Sequence, residues 1–191
     1  MTKKKKKILL SVLLVTLFLG SLWYYNHYYT GSRSGTVVDA VTGKPIEGAV
    51  VTMEWFFAGG FFIPEGGALA AFYETKTDER GRYKIPNLHI NGGYWHSTLE
   101  HENVMIYKDG YSGYEVSDSS SPKSGYSFAS NSEDQPYSKK RNFVKLFPFK
   151  SSDSHREHIE WIQTFPYSGC PEKLLEKELQ NEMERAKKDY K

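Results

Sequence analysis

The sequence predicts a mainly β protein in which a β-sandwich follows an apolar N-terminal helix and precedes a C-terminal helix. Several short β-branched runs alternate with Gly, Pro and Asp turn signals, as in sandwiches and barrels. An uncharged run of eighteen residues lies near the start, and leucines recur at helical spacing near the end. With 191 residues, 39% of them apolar, the chain can form one modest core.

The N-terminal segment has the pattern of a membrane anchor. Five lysines at positions 3–7 precede the uncharged residues 8–25. A helix of that length extends about 27 Å at about 1.5 Å per residue, close to the hydrocarbon thickness of a bilayer. Trp23 and Tyr24 lie at its far end, where aromatic rings favour the membrane interface. We therefore expect a cytoplasmic segment (1–7), a single-pass transmembrane signal anchor (8–25) at the cell membrane, and an extracytoplasmic body, which would be periplasmic in a bacterium.

A cleaved secretory signal is the competing interpretation, and it would make the protein secreted. Such signals end at a pair of small residues in an A-x-A-like site. Here the candidate pairs are Phe18 with Gly20 and Leu19 with Ser21, and the first residue of each pair is too large. This favours the uncleaved anchor.

Charge and cysteine content exclude several classes of protein. The formal charge is +2, but without the five N-terminal lysines the chain carries 20 basic against 23 acidic residues. The body is therefore not a basic nucleic-acid binder. Cys170 is the only cysteine, which excludes an intrachain disulfide and a four-cysteine zinc site.

Strand and turn signals begin after a polar linker at residues 26–34. Strand-like runs occupy residues 36–40 and 49–55, with a Gly- and Pro-containing turn between them. Two further runs flank the turn from Asp78 to Gly81, where Asp can bond to the following backbone and Gly can adopt a positive φ. Shorter apolar runs follow at residues 104–107 and 142–149, of which the latter is the expected closing strand.

Three of these motifs resemble the carboxypeptidase regulatory-like domain family, in that family's order. They are GTVVDAVTGKPIEGAVV (35–51), TDERGRYKIP (77–86) and KDGY (108–111). The resemblance covers residues 35–112 and implies a prealbumin-like (transthyretin-like), Ig-like seven-stranded β-sandwich spanning residues 35–150 with insertions. In that family the module is not catalytic, and no functional residue transfers. Ala49, Val51, Tyr83 and Ile85 are expected to face the core.

The last segment, residues 151–191, is predicted as a polar stretch followed by a helix. Pro171 suits a first helical position, and Leu175, Leu179 and Met183 recur every four residues. We expect this helix to pack on the sandwich; the alternative is that it occupies a partner's groove.

Several motifs suggest chemistry only weakly. His155 and His158 have near metal-ligand spacing, yet we expect a solvated polar turn. A second candidate group has three histidines and two glutamates, and we expect it to bind no metal. Its members are His89, His96, His101, Glu100 and Glu102.

The possible nucleophiles match catalytic patterns equally loosely. The S-x-x-K match from Ser120 to Lys123, the segment from Gly125 to Ala129 and Cys170 lack the partners that catalysis requires. We therefore predict no catalytic residue, no metal site and no cofactor.

An apolar insertion between residues 56 and 72 is the feature most unlike the family. Contiguous exposed apolar surface marks a partner or membrane contact. The alternative is a long hairpin that extends the core. The candidate binding residues are Phe56, Phe57, Phe61, Phe62, Ile63 and Phe72.

The sequence therefore predicts a non-enzymatic, membrane-anchored extracytoplasmic β-sandwich that mediates protein–protein interaction or envelope structure. Its expected partners are the membrane and another envelope protein, with no nucleic acid. A carbohydrate or cell-wall binding module is the first alternative, since 14 tyrosines and four tryptophans could stack on a glycan. A small metal-dependent or serine hydrolase is the second.

Overall fold

A computed structural model describes residues 3–25, 27–59, 68–92, 97–117, 142–149, 158–160, 162 and 174–187. Strands dominate these residues, with a long helix before them and another after them. The helices are α1 (Lys3–Tyr25) and α2 (Leu174–Ala186). The strands are β1 (His27–Tyr29), β2 (Arg33–Asp39), β3 (Val50–Ala58), β4 (Ala68–Lys76), β5 (Arg82–Ile85), β6 (His89–Asn91), β7 (Thr98–Tyr107), β8 (Tyr114–Ser117) and β9 (Asn142–Leu146).

The strands form three sheets. The first has the order β5-β2-β9, in which β2 pairs antiparallel with β5 and parallel with β9. The second has the order β4-β3-β7-β8 and is antiparallel throughout. The third contains β1 and β6, also antiparallel. The predicted closing strand is therefore confirmed as β9.

The two larger sheets enclose the main core. Along β3, the alternate residues Val51, Met53 and Trp55 belong to the same buried cluster as Val37 and Val144 of the three-stranded sheet. Alternate residues of a strand point to one face, so this cluster is the interior of a sandwich. The four residues that were predicted to face a core are all in this cluster: Ala49, Val51, Tyr83 and Ile85.

Helix α2 covers the outer face of the four-stranded sheet. Leu175 and Leu179 pack with Val50 and Met105 in a second buried cluster. As a result β3 is buried on both faces along most of its length. The prediction that the C-terminal helix packs on the sandwich is confirmed. Met183 is half-buried on this helix, and Pro171 lies outside the described residues.

The prediction of a seven-stranded sandwich is not confirmed as such: the described residues contain nine strands, seven in the two larger sheets and two in an additional sheet. The additional sheet arises partly from the predicted linker, because Tyr28 and Tyr29 suit an extended chain and pair with β6. Thr30 extends this contact, since its N–H donates to the Leu88 carbonyl at 3.1 Å.

The N-terminal segment forms the predicted helix, with its large apolar side chains between residues 8 and 19 exposed by 53 to 63%. Within the part of the chain that the structure describes, no helix is long and apolar enough to cross a membrane. The prediction of an N-terminal helix is therefore confirmed, whereas its transmembrane placement is not.

Candidate functional site

The apolar insertion lies at one end of the β3–β4 hairpin. Phe56 and Phe57 are buried in β3, and Phe72 is half-buried in β4. The Tyr28 ring meets the Phe57 ring edge-on, with the two centroids 5.0 Å apart. Phe61, Phe62 and Ile63 lie outside the described residues. The backbone on either side is a long hairpin, as in the alternative interpretation, and binding through this insertion stays a prediction.

The histidine group divides between different surroundings. His89 lies in β6, with its Nε2 atom 2.7 Å from Nδ1 of His27 in β1. Glu102 pairs with Arg33 in a two-contact ion pair that joins the four-stranded to the three-stranded sheet. His96 lies outside the described residues. The structure therefore does not bring His89 and Glu102 together. It pairs His89 with His27, a residue that the sequence analysis did not select.

His158 is buried, contrary to the predicted solvated turn. It lies in a helical turn at residues 158–160 and is 0% exposed. Its Nδ1 atom is 2.8 Å from Oε1 of Glu182 in α2, while Oε2 of Glu182 accepts the Tyr107 hydroxyl at 2.6 Å. Glu182 is itself only 2% exposed. The prediction failed because His158 finds buried hydrogen-bond partners, which offset the cost of removing its ring from water.

The hydrogen bonds of His158 fix its tautomer. The Gly113 N–H donates to Nε2 at 3.1 Å, so this nitrogen carries no proton. Nδ1 therefore carries the ring hydrogen and donates it to the Glu182 carboxylate. A histidine and a carboxylate in this order resemble a catalytic pair, but a general base needs an open nitrogen facing its substrate. Here both nitrogens bind protein groups, so the chain from Tyr107 through Glu182 to His158 joins α2 to the sandwich. His155 lies outside the described residues.

Two further polar contacts fix α2 on strand β4. The Glu74 carboxylate accepts the first backbone N–H groups of the helix, from Leu174 at 2.9 Å and Leu175 at 2.8 Å. These donors have no partner within a helix, so an acceptor there caps it and a negative charge suits its dipole. Lys76 forms an ion pair with Glu178 at 2.6 Å, one turn further along.

Several titratable groups have pKa values displaced away from neutrality. The Thr42 backbone N–H is the main cause that lowers the pKa of Asp39, and the Arg82 backbone N–H does the same for Asp78. Burial raises the pKa of Tyr83 and Tyr111, and that of Tyr114 to about 12. These carboxyl groups therefore stay ionised and these phenols stay protonated at pH 7, so none of them is suited to exchange protons there.

The described residues contain no group of three or more His, Cys, Asp or Glu side chains arranged to hold a metal ion. The other motifs with possible chemistry fall elsewhere in the chain. Ser120, Lys123, the segment from Gly125 to Ala129 and Cys170 all lie outside the described residues.

Comparisons with known proteins find similarity only among solved structures. No family model and no curated protein matches the chain. A 3-chlorocatechol 1,2-dioxygenase from Rhodococcus opacus matches at 18% identity and a TM-score of 0.38, over 65% of this chain and 61% of that one. An intradiol ring-cleavage dioxygenase from Tetranychus urticae matches at 15% identity and a TM-score of 0.36, over 64% of this chain and 83% of that one. The shaft pilin SpaA from Lactobacillus rhamnosus GG matches at 14% identity and a TM-score of 0.32, over 64% of this chain and 47% of that one.

These comparisons correct the functional prediction. They contradict the expectation of a non-enzymatic interaction module, because the solved structures that they found include intradiol dioxygenases, which are enzymes. The chain spans only 61% of the Rhodococcus enzyme, and the likeness is too distant to transfer a reaction, a substrate or a residue role. No family model confirms the carboxypeptidase regulatory-like domain.

Proposed function

We propose that the whole uncharged run of residues 8–25, including residues 22–25, whose side chains lie outside the described part of the chain, attaches this protein to a lipid bilayer as a single-pass anchor and that the β-sandwich lies on the extracytoplasmic side. The observation that carries the proposal is the exposure of the apolar side chains of α1, from Ile8 to Leu19. Neither buried cluster includes a residue of this helix. A helical segment that is apolar on all sides is more stable in hydrocarbon than in water, since it has no polar face to expose to water.

The distribution of charge supports an orientation. The five lysines stand at the N-terminal end of α1, whereas the rest of the chain carries a small excess of acidic residues. Lysines beside a membrane-inserted helix favour the cytoplasmic side. We therefore infer that the chain from β1 onwards lies on the opposite side of the bilayer from the lysines.

We also infer that the sandwich is a carboxypeptidase regulatory-like, prealbumin-like domain. The three motifs supply corresponding parts of the fold. The first motif spans most of β2, the turn that follows it and the start of β3. The second motif joins β4 to β5 through Gly81, whose φ is +68°. The third motif makes the turn after β7, where the Tyr111 N–H donates to the Lys108 carbonyl at 3.0 Å.

Membrane attachment is tested by flotation of the full chain with liposomes of neutral and anionic phospholipid. We expect the protein to float with the vesicles and to resist extraction at high salt. A variant with Leu13→Arg and Leu17→Arg should remain with the soluble fraction, because arginine at the centre of a membrane helix costs about 2.5 to 3.5 kcal/mol in insertion measurements.

Val41→Arg is the matched control, since Val41 is an exposed apolar residue on the sandwich. It should float like the unmodified protein. Orientation is measured by protease treatment of intact cells, which should digest the sandwich from outside. Full-length protein that stays in the soluble fraction, or a sandwich protected in intact cells and digested only after lysis, would contradict the proposal.

A further inference from the structure

We propose that His27 and His89 together bind one divalent transition-metal ion, of the zinc or copper(II) type, at the joint between α1 and the sandwich. The proposal is independent of membrane attachment. It rests on the placement of two imidazole nitrogens by a small sheet that is itself fixed to the body.

The register of β1 and β6 brings the two rings to one face. Tyr29 is directly opposite His89, and His27 is opposite Asn91. His27 and His89 are therefore diagonal neighbours across an antiparallel pair, a distance that long or aromatic side chains can bridge.

The backbone that carries the pair is held at several points. The Leu88 N–H donates to the Thr30 hydroxyl at 2.9 Å, and the Tyr28 hydroxyl donates to the Ser97 carbonyl at 3.1 Å. On the other side of the same strand, the Tyr28 ring contacts Phe57 of β3. A site whose backbone is fixed before the ligand arrives loses less conformational entropy on binding.

The rings themselves face each other through their nitrogens. Nδ1 of His27 is 2.7 Å from Nε2 of His89, the ring planes differ by 12° and the centroids are 4.9 Å apart. Such a short nitrogen contact between nearly parallel rings with distant centroids describes two rings that meet edge to edge. The Tyr29 ring lies against His89, with a centroid distance of 4.8 Å and planes 15° apart, and orients it.

A contact of this kind holds either a shared hydrogen or a cation. In the hydrogen-bonded form, one neutral ring donates to the lone pair of the other. A tetrahedral zinc ion bound at about 2.0 to 2.1 Å from each nitrogen would separate the two nitrogens by about 3.3 Å. Small side-chain rotations suffice for this opening, because the present separation is already close to it.

The exchange balances without an oxidant or a further reactant. The metal ion accepts one lone pair from each neutral imidazole, and the hydrogen of the former donor moves through water to the other nitrogen of its own ring. His89 is exposed and His27 is half-buried, so water can fill the remaining coordination positions. Imidazole suits zinc, copper and nickel, which defines the class of ion.

Titration of the untagged full chain in detergent with zinc chloride, followed by isothermal calorimetry, measures the affinity. We expect one ion per chain, with affinity reduced at least tenfold in His27→Ala and in His89→Ala. Asn91→Ala is the matched control, because it changes the same small sheet and keeps both imidazoles. Its affinity should equal that of the unmodified protein. Circular dichroism confirms that each variant keeps its strands.

Electron paramagnetic resonance with copper(II) chloride gives a second readout that a change of stability would not produce. The unmodified protein should show coupling to two imidazole nitrogens, and each histidine variant to one. His89→Asp should recover part of the zinc affinity by supplying a carboxylate ligand. The proposal would be overturned by zinc affinity in either alanine variant equal to that of the unmodified protein, by the same loss of affinity in Asn91→Ala, or by a two-nitrogen spectrum that survives either histidine substitution.

Discussion

Nδ1 of His158 lies 2.8 Å from Oε1 of Glu182, and both side chains are almost completely removed from water. The pair joins the helical turn at residues 158–160 to α2, and Tyr107 extends it into the four-stranded sheet. A buried carboxylate requires this many partners, because an unpaired charge in the interior is very costly. The contact therefore adds a buried polar link to the apolar packing that holds α2 on the sandwich.

Glu182→Ala should lower the free energy of unfolding by about 3 kcal/mol, since it removes the buried carboxylate that accepts the His158 and Tyr107 hydrogen bonds. Urea denaturation of the full chain measures the change. Glu184→Ala on the same helix is the control. Its ion pair with Lys187 is exposed to solvent, so this substitution should alter stability by about 0.5 kcal/mol or less. Equal effects of the two substitutions would contradict the buried contact.

Glu74→Ala should loosen the start of α2 by about 1 kcal/mol, because it removes the acceptor of the Leu174 and Leu175 N–H groups. Hydrogen exchange measures this directly, and the amides of the first helical turn should exchange faster while those of β2 stay protected. Glu79→Ala, in an exposed turn, should leave the exchange of α2 unchanged. Similar exchange in both variants would show that Glu74 does not cap the helix.

Gly81→Ala should destabilise the sandwich by about 3 kcal/mol or more. Gly81 has φ at +68°, and an added Cβ would lie 2.3 Å from the Val37 carbonyl oxygen. Gly43→Ala shares the positive φ, at +69°, but nothing lies within 4 Å of the added atom. It should cost only the backbone strain of about 1 to 2 kcal/mol. Thermal unfolding compares the two, and a larger loss at Gly43 would refute the close approach at Gly81.

Asp39 should make stability fall in acid. Its pKa is lowered chiefly by the Thr42 backbone N–H, so the folded state holds the carboxylate more strongly than the unfolded chain does. The stabilisation is complete above the unfolded pKa of about 3.9 and is lost as pH falls through the lower folded value.

The test is the slope of unfolding free energy against pH below pH 4. We expect Asp39→Asn to reduce this slope. Tyr111→Phe should reduce it less, because it removes only one of the hydrogen bonds to the same carboxylate, that from the Tyr111 hydroxyl at 3.0 Å. An unchanged slope in Asp39→Asn would mean that other groups control the acid response.

The sequence predicted the strands and turns of the sandwich well, because their signals are local. At Asp78, the predicted bonds to the following backbone are present, with the Arg80 N–H at 2.9 Å and the Arg82 N–H at 2.8 Å from Oδ1. The inward positions on β3 and β5 followed from strand alternation alone.

The candidate sites were harder to predict, because they depend on contacts between distant residues. His27 and His89 meet across 62 positions, and the pairing of β1 with β6 has no local signal beyond a short aromatic run. Glu182 follows Leu175 and Leu179 at helical spacing, so periodicity places it on the packed face of α2, but a glutamate there gives no sign of the partners that allow its burial. Its burial is set by Tyr107 and His158, which come from other elements.

The parallel pairing of β2 with β9 has a consequence for how the chain is made. β2 ends at Asp39 and β9 begins at Asn142, so more than a hundred residues separate the two partners. During synthesis from the N-terminus, one edge of β2 stays unpaired until the ribosome has synthesised β9. Distant pairing of this kind slows folding and leaves an open strand edge in the meantime. A truncation before Asn142 should therefore produce an aggregating chain, and newly made protein should depend on chaperones until β9 emerges.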